Sequence, residues 1–198
     1  MFGGIVEALG IIKKIHSTKA GVDFIISKPA FFNDLIIGDS ISVNGVCLTV
    51  TKFLETDFYV TAVPETLRVS NLSELNESEF VNLERAIKLG SRIGGHYVQG
   101  HIDTVGRILD INQDGVAITV KISISSEYLK YIVKKGYICI DGMSITIADI
   151  LIDSFTVSII PQTQSTTIVS HYKLNTKLNI EFDVLGKYVE KILGVNKQ

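Results

Sequence analysis

Cysteine, proline and clustered positive charge are all scarce in this chain of 198 residues. Its two cysteines, Cys47 and Cys139, stand in no metal-ligand spacing, and as shown below they do not occupy equivalent places in an internal repeat. A symmetric disulfide framework is therefore excluded, and free thiols in a reducing cytosol follow. Four histidines and two cysteines without zinc spacing exclude a metal centre. No run of Lys or Arg exceeds two residues and the net charge is −2, so the phosphate-binding surface of a nucleic-acid protein is missing. Apolar runs are short and interrupted, which excludes a membrane helix. The start, MFGGIVEALG, has neither a basic n-region nor a long apolar h-region, so the expected compartment is the cytoplasm. No low-complexity or Pro/Ser-rich linker is found, and no G-x-G-x-x-G follows a strand, which argues against a nicotinamide-binding domain.

What the chain does contain is itself, twice. Asn44-Gly45-Val46-Cys47-Leu48-Thr49-Val50 returns 97 residues later as Asp141-Gly142-Met143-Ser144-Ile145-Thr146-Ile147. Phe58 to Thr66 returns as Phe155 to Thr163, and Val81-Asn82-Leu83-Glu84 as Leu178-Asn179-Ile180-Glu181, at the same offset. Gly4-Ile5-Val6 matches Gly100-His101-Ile102 at 96. Such a period is too long for a solenoid and has the size of a small domain. The expected units are residues 1–90, 91–183 and a C-terminal segment 184–198, with the boundary near Lys88-Leu89-Gly90-Ser91.

Each copy reads as β structure. Ile41–Val43, Cys47–Thr51, Phe58–Ala62, Val116–Ile122 and Phe155–Ile159 are short, β-branched and aromatic. Asn44-Gly45 and Asp141-Gly142 signal type I′ hairpins, which need positive φ at both central positions. The fold class is all-β, with a small closed or Greek-key barrel in each half. Helical signals fall on Ser126–Val133, on its counterpart Pro29–Leu35, and on the C-terminus. There Val184, Leu185, Tyr188, Val189, Ile192 and Leu193 form one apolar stripe. That stripe requires cover, either from the chain's own barrels or from other subunits.

Differences between the copies mark candidate chemistry. His101 stands where the first copy has Ile5, and a fold needing only an apolar residue has no use for imidazole there. Cys47 and Ser144 are equivalent, each two residues beyond Gly45 or Gly142, and share a strand face with Thr49 and Thr146 respectively. Thr66 and Thr163 follow the matched Pro64 and Pro161. His96 has no counterpart and reads as structural. His16 and His171 lie in polar loop contexts and carry no signal.

These blocks together resemble riboflavin synthases, the duplicated single-chain enzymes of flavin biosynthesis. The likeness runs through MFGGIVE, GDSISVNGVCLTV, PETLRVSNL, VNLERA, GGHYVQGHIDTVG, KYIVKKGYICIDGMSITI and the C-terminal helix. The resemblance implies two six-stranded Greek-key barrels and a C-terminal helix assembling a homotrimer. It implies conversion of two molecules of 6,7-dimethyl-8-ribityllumazine into riboflavin and 5-amino-6-ribitylaminouracil by transfer of a four-carbon unit, without metal or redox cofactor. It places the working site where the first barrel of one subunit faces the second barrel of a neighbour.

Carried onto this sequence, the first pocket comprises Gly4, Ile5 and Val6, Cys47, Leu48 and Thr49, and Thr61, Ala62, Val63, Pro64, Glu65 and Thr66, with Phe2 and Ser40 close by. The second comprises Gly100, His101 and Ile102, Lys135, Ser144, Ile145 and Thr146, and Ser158, Ile159, Ile160, Pro161, Gln162 and Thr163, with Asp141 and Asp183 nearby. His101 is the expected manager of the proton leaving the 7-methyl group. Cys47 and Ser144 are the expected nucleophile or orienting groups at C7. Gly3 departs from the threonine or lysine common after Met-Phe. The resemblance also allows an association with lumazine synthase. The rival reading is a non-enzymatic lumazine- or flavin-binding antenna protein.

Overall fold

Twelve strands and three short helices make up the computed structural model, which describes residues 1–194. The tail 195–198, attached by the sequence reading to the last helix, lies outside the described residues. The first barrel uses β1 (Ala8–Thr18), β2 (Gly21–Ser27), β3 (Ser40–Val43), β4 (Val46–Phe53), β5 (Asp57–Ala62) and β6 (Phe80–Arg85). The second uses β7 (Thr104–Asp114), β8 (Ala117–Ser123), β9 (Tyr137–Ile140), β10 (Met143–Ile150), β11 (Ser154–Ile159) and β12 (Lys177–Phe182). Both close in the same order, β1-β2-β5-β4-β3-β6 and β7-β8-β11-β10-β9-β12, with antiparallel pairs throughout. These are the two six-stranded barrels that the resemblance implies, one in each half of the repeat.

Closure is achieved by equivalent irregularities. Register slips between Ile12 and Lys14 in β1 and between Ile108 and Asp110 in β7, and again between Val50 and Lys52 in β4 and between Ile147 and Asp149 in β10. Extra residues of this kind sharpen the bend and twist of a strand, which a small barrel needs at its corners. Strand alternation then fills each interior. Ile41, Val46, Leu48, Val50, Phe58, Val60, Val81 and Leu83 fill the first barrel, and Ile140, Met143, Ile145, Ile147, Phe155, Val157, Leu178 and Ile180 the second.

The I′ turns form as expected, with φ of 47° and 81° at Asn44-Gly45 and 45° and 85° at Asp141-Gly142. Their tips do not face water. A Cβ on Gly45 would lie 2.6 Å from the Gly142 amide nitrogen, so the two hairpins meet tip to tip where the barrels join. Around them the outward residues of β6 and β12 build a polar seam. Asn82 donates from Nδ2 to the Asp141 carbonyl (2.8 Å) and accepts the Ile168 N–H at Oδ1 (2.8 Å). Asn179 mirrors it, donating to the Asn44 carbonyl (2.9 Å) and accepting the Asn71 N–H (2.7 Å).

Helix expectations need three corrections. Ser126–Tyr131 is a 3-10 segment instead of an α-helix, and Pro29–Leu35 is a succession of turns. The first copy has no caps there, and Pro29 and the exposed Asn33-Asp34 favour turns. Two short helices that periodicity did not reveal, α1 (Pro64–Val69) and α2 (Pro161–Thr166), follow β5 and β11, each with proline in its first turn.

The C-terminal helix, α3 (Val184–Leu193), forms where the stripe places it, capped by the Asp183 carboxylate on the Leu185 N–H (3.0 Å) and ended by Gly194 at φ 66°. Its polar side chains hold it to the second barrel, through Lys187–Asp103 (2.6 Å) and through Glu190 with Lys130 and Tyr131. Leu185, Tyr188, Val189, Ile192 and Leu193 remain exposed, Ile192 by 80%. The chain's own barrels therefore do not cover the stripe. No helix among the described residues is long and apolar enough to cross a membrane.

Candidate active site

The strip leading into each barrel lies on the other barrel. Gly4 accepts the Ser144 N–H at its carbonyl (2.8 Å), and Gly100 accepts the Cys47 N–H (2.8 Å). Both glycines have positive φ (71° and 82°), and a Cβ on either would lie within 2.6 Å of the facing Cβ of Ser144 or Cys47. Only glycine allows this approach. Val6 accordingly packs on the core of the second barrel and Ile102 on that of the first. The strips cross as a two-residue ladder, Phe2 with Val98.

This corrects the expected grouping. Gly4, Ile5 and Val6 belong with Ser144, Ile145 and Thr146, while Gly100, His101 and Ile102 belong with Cys47, Leu48 and Thr49. A buried glutamate from each barrel holds the strip of its own half. Glu181 accepts the N–H groups of Gln99 (2.6 Å), Gly100 (2.8 Å) and His101 (2.9 Å). Glu84 accepts that of Gly3 (2.7 Å), with the amides of Gly4 and Ile5 lending further support. A Cβ at Gly3 would come no nearer than 3.6 Å to any atom, so the absence of a side chain there answers no steric need.

Placement separates the expected site residues into three sorts. At the surface of the first seat stand His101, Thr49, Val63, Pro64 and Glu65, with Cys47 and Thr66 half-buried. Ser40 joins them by pairing with Thr49 across β3 and β4. Thr61 is half-buried, but its hydroxyl donates to Asp23 (2.6 Å). The second seat shows Ile5, Thr146, Ser158, Ile160, Pro161 and Gln162 at the surface, with Ser144 and Thr163 half-buried. Lys135 is set beside Thr146 by its N–H bond to the Ile147 carbonyl (2.9 Å). A second sort, Leu48, Ala62, Ile145 and Ile159, points into the barrel cores and can meet a ligand only through its backbone.

The third sort is structural. Phe2 is wholly buried in the seam with Val98 and Cys139. Asp141, expected near the ligand, is 1% exposed, and its carboxylate accepts the Tyr172 hydroxyl (2.7 Å) and the Asn179 N–H (2.8 Å). Alternation alone would set such a turn residue at the surface; the tip-to-tip meeting of the hairpins buries it. Asp183 is the α3 cap. His96, which the sequence left as structural, is brought against Ser144, with Nδ1 2.6 Å from the hydroxyl oxygen. Its only signal in the sequence is that the repeat gives it no partner.

Both cysteines are free thiols, and burial pushes the Cys139 thiol well up. Among the described residues no group of three or more His, Cys, Asp or Glu side chains is arranged to hold a metal. Cavities of about 730 and 540 Å³ are present, but neither is lined by Cys47, His101 or Ser144. The larger one is lined in part by Ile5 and Ser40.

The seam carboxyls carry an electrostatic signature. Burial raises Asp141 to about 7 despite the Tyr172, Asn179 and Asn71 donors, and raises Glu84 to about 7 against its backbone donors. A carboxyl whose pKa is raised on folding stabilises the native state fully below its unfolded pKa, and that contribution is lost as pH rises through the folded value. Stability should therefore fall between about pH 4 and 7. Asp141→Asn reproduces the first copy's Asn44 and removes one of these titrations. Urea denaturation at pH 5 and 8 should show the variant gaining about 2–4 kcal/mol relative to the parent over that interval. A difference independent of pH would refute the assignment.

Comparison with known proteins agrees with the duplicated architecture. A lumazine binding domain model matches residues 3–86 and again 99–183. The riboflavin synthase of Schizosaccharomyces pombe is 44% identical over 195 residues, covering 98% of this chain and 94% of its own. That of Bacillus subtilis is 39% identical over 193 residues, covering 98% and 90%. Among solved structures, LumP complexed with riboflavin superposes with a TM-score of 0.85 at 28% identity, covering 92% of this chain and 99% of that one. LumP complexed with 6,7-dimethyl-8-(1'-D-ribityl) lumazine gives 0.83 at 26%, covering 91% and 98%. Two tandem lumazine-binding repeats, and full-length likeness to these enzymes, show that the chain belongs to the riboflavin synthase family.

Proposed function

We propose that the protein converts two molecules of 6,7-dimethyl-8-ribityllumazine into riboflavin and 5-amino-6-ribitylaminouracil, one molecule giving a four-carbon unit to the other. The observation that carries this reading is the exchange of strips, which builds two equivalent seats of unequal chemistry. Cys47 with His101 makes one, and Ser144 with Ile5 the other. A dismutation of one substrate needs two similar binding surfaces that treat their ligands differently. Apolar Val63 and Ile160 stand exposed at matching places and can cover a ring face, while strand-edge backbone groups read the heterocycle's donors and acceptors. The reaction needs no redox cofactor, since one lumazine is oxidised as the other is reduced.

The units act as residues 1–90 and 91–183, with the helix of the 184–198 segment as the assembly element. The uncovered stripe of α3 favours a site completed by a neighbouring subunit in a cytoplasmic homotrimer. Reversing the stripe by Tyr188→Glu with Ile192→Glu should yield a smaller species on size-exclusion chromatography. Turnover should be lost even though the barrels stay folded by circular dichroism. An unchanged elution volume would exclude α3 as the assembly element.

The decisive test of the reaction is to supply the purified protein with the lumazine alone. Riboflavin and the aminouracil should accumulate in equal amounts with no added cofactor. The antenna reading predicts a bound, unconverted ligand; full-length likeness to enzymes at 39–44% identity favours turnover.

A further inference from the structure

The two seats place a small nucleophilic side chain at the same point of β4 and β10, yet among the described residues only the Ser144 hydroxyl is hydrogen-bonded to an imidazole. Ser144 lies between the Gly4 and Gly95 backbones, with its own N–H held by the Gly4 carbonyl. His96 is 7% exposed, and its ring stacks on Tyr137 at 5.3 Å between centroids, 9° from parallel. Its Nδ1 is 2.6 Å from Ser144 Oγ. Burial lowers the imidazole's pKa and so keeps it neutral, against the opposing pull of the Asp183 carboxylate. Besides Ser144, the titratable groups facing the ring are therefore Tyr137 of β9 and Asp183 at the start of α3. A neutral ring needs one acceptor nitrogen. Nδ1 is assigned that role, with the Ser144 hydroxyl donating to it, and the buried Nε2–H is then left without a partner among the described residues.

No imidazole is hydrogen-bonded to the Cys47 thiol of the first seat among the described residues. Chemistry explains the asymmetry. A thiol presents a polarizable, readily ionised sulfur unaided, whereas a serine hydroxyl is a weak donor of lone pairs unless a base takes up its hydrogen bond.

We infer that His96 is the positioning residue of the second seat, holding the Ser144 hydroxyl by its proton so that the oxygen lone pairs face the bound lumazine. The inference rests on the proposed reading that Ser144 touches substrate.

Four variants test it: Ser144→Ala, His96→Ala, His96→Asn and the double variant of the two alanines. Each is assayed for kcat and KM with lumazine across pH, with thermal melting as a check on folding. An asparagine amide oxygen can stand near the place of Nδ1 and accept the hydroxyl proton without titrating. Ser144→Ala and His96→Ala should each lower kcat by about tenfold or more with little change in KM. The double variant should be no worse than Ser144→Ala, since residues acting through one another are not additive. His96→Asn should recover most of the rate and flatten the acid limb of kcat. Full activity of His96→Ala, or multiplied losses in the double variant, would overturn the inference while leaving the reaction intact. So would a folded His96→Asn as slow as His96→Ala. Full activity of Ser144→Ala would instead remove Ser144 from the site, and this inference with it.

Discussion

His101→Ala is expected to lower the turnover number for lumazine by about 10²–10⁴-fold, the usual range for removing a positioned acid–base group. Its strip is fixed at three points. The Glu181 carboxylate takes the His101 N–H, the Gly100 carbonyl takes the Cys47 N–H, and Ile102 is seated on the first barrel's core. His101 itself is exposed, next to the Gly100 that meets Cys47, and lies outside both hydrophobic cores. Truncation should therefore leave the melting temperature almost unchanged and lumazine binding, followed by titration, within a few-fold of the parent. Ile5 occupies the equivalent point of the other seat, so the chemistry lost is one-sided. Turnover equal to the parent would take the proton transfer away from His101. Equal loss of binding and turnover would make it a contact only.

Asn82→Ala should strongly destabilise the fold. Its side chain joins the barrels across the seam, so deletion leaves the Asp141 carbonyl and the Ile168 N–H buried without partners. Each stranded group costs about 1–3 kcal/mol, and the small void adds to that. A total of about 3–5 kcal/mol is expected in urea denaturation, a large part of the stability of a protein this size. Asn179→Ala should cost a similar amount, because it strands the Asn44 carbonyl and Asn71 on the other side. A loss below about 1 kcal/mol for both would mean that the barrels are joined chiefly by apolar contact.

Asn82 and Asn179 also show how far a sequence can be read. The repeat displays them, with Glu84 and Glu181, as polar residues alternating with Val81, Leu83, Leu178 and Ile180. Period-2 alternation ordinarily means an apolar face inward and a polar face to water. Here the polar face is buried as well, since it meets the same face of the other barrel. Asp141 is the same case at a turn. Local pattern reports which side chains share a face, and it cannot report what lies opposite that face.

The sequence by itself determined the duplication, the strand-rich halves, the I′ turns at Asn44-Gly45 and Asp141-Gly142, the terminal amphipathic helix and the inequality of Ile5 against His101 and Cys47 against Ser144. These depend on residue identity, spacing and backbone preference, all carried along the chain. Tertiary structure alone decided that the strips are exchanged, that Gly4 meets Ser144 and Gly100 meets Cys47, and that His96 reaches the hydroxyl. An offset of 96 or 97 residues is the same whether a strip lies on its own barrel or on its twin. The choice between those arrangements is made by contacts through space at the glycines, where the absence of a Cβ lets one backbone close on another.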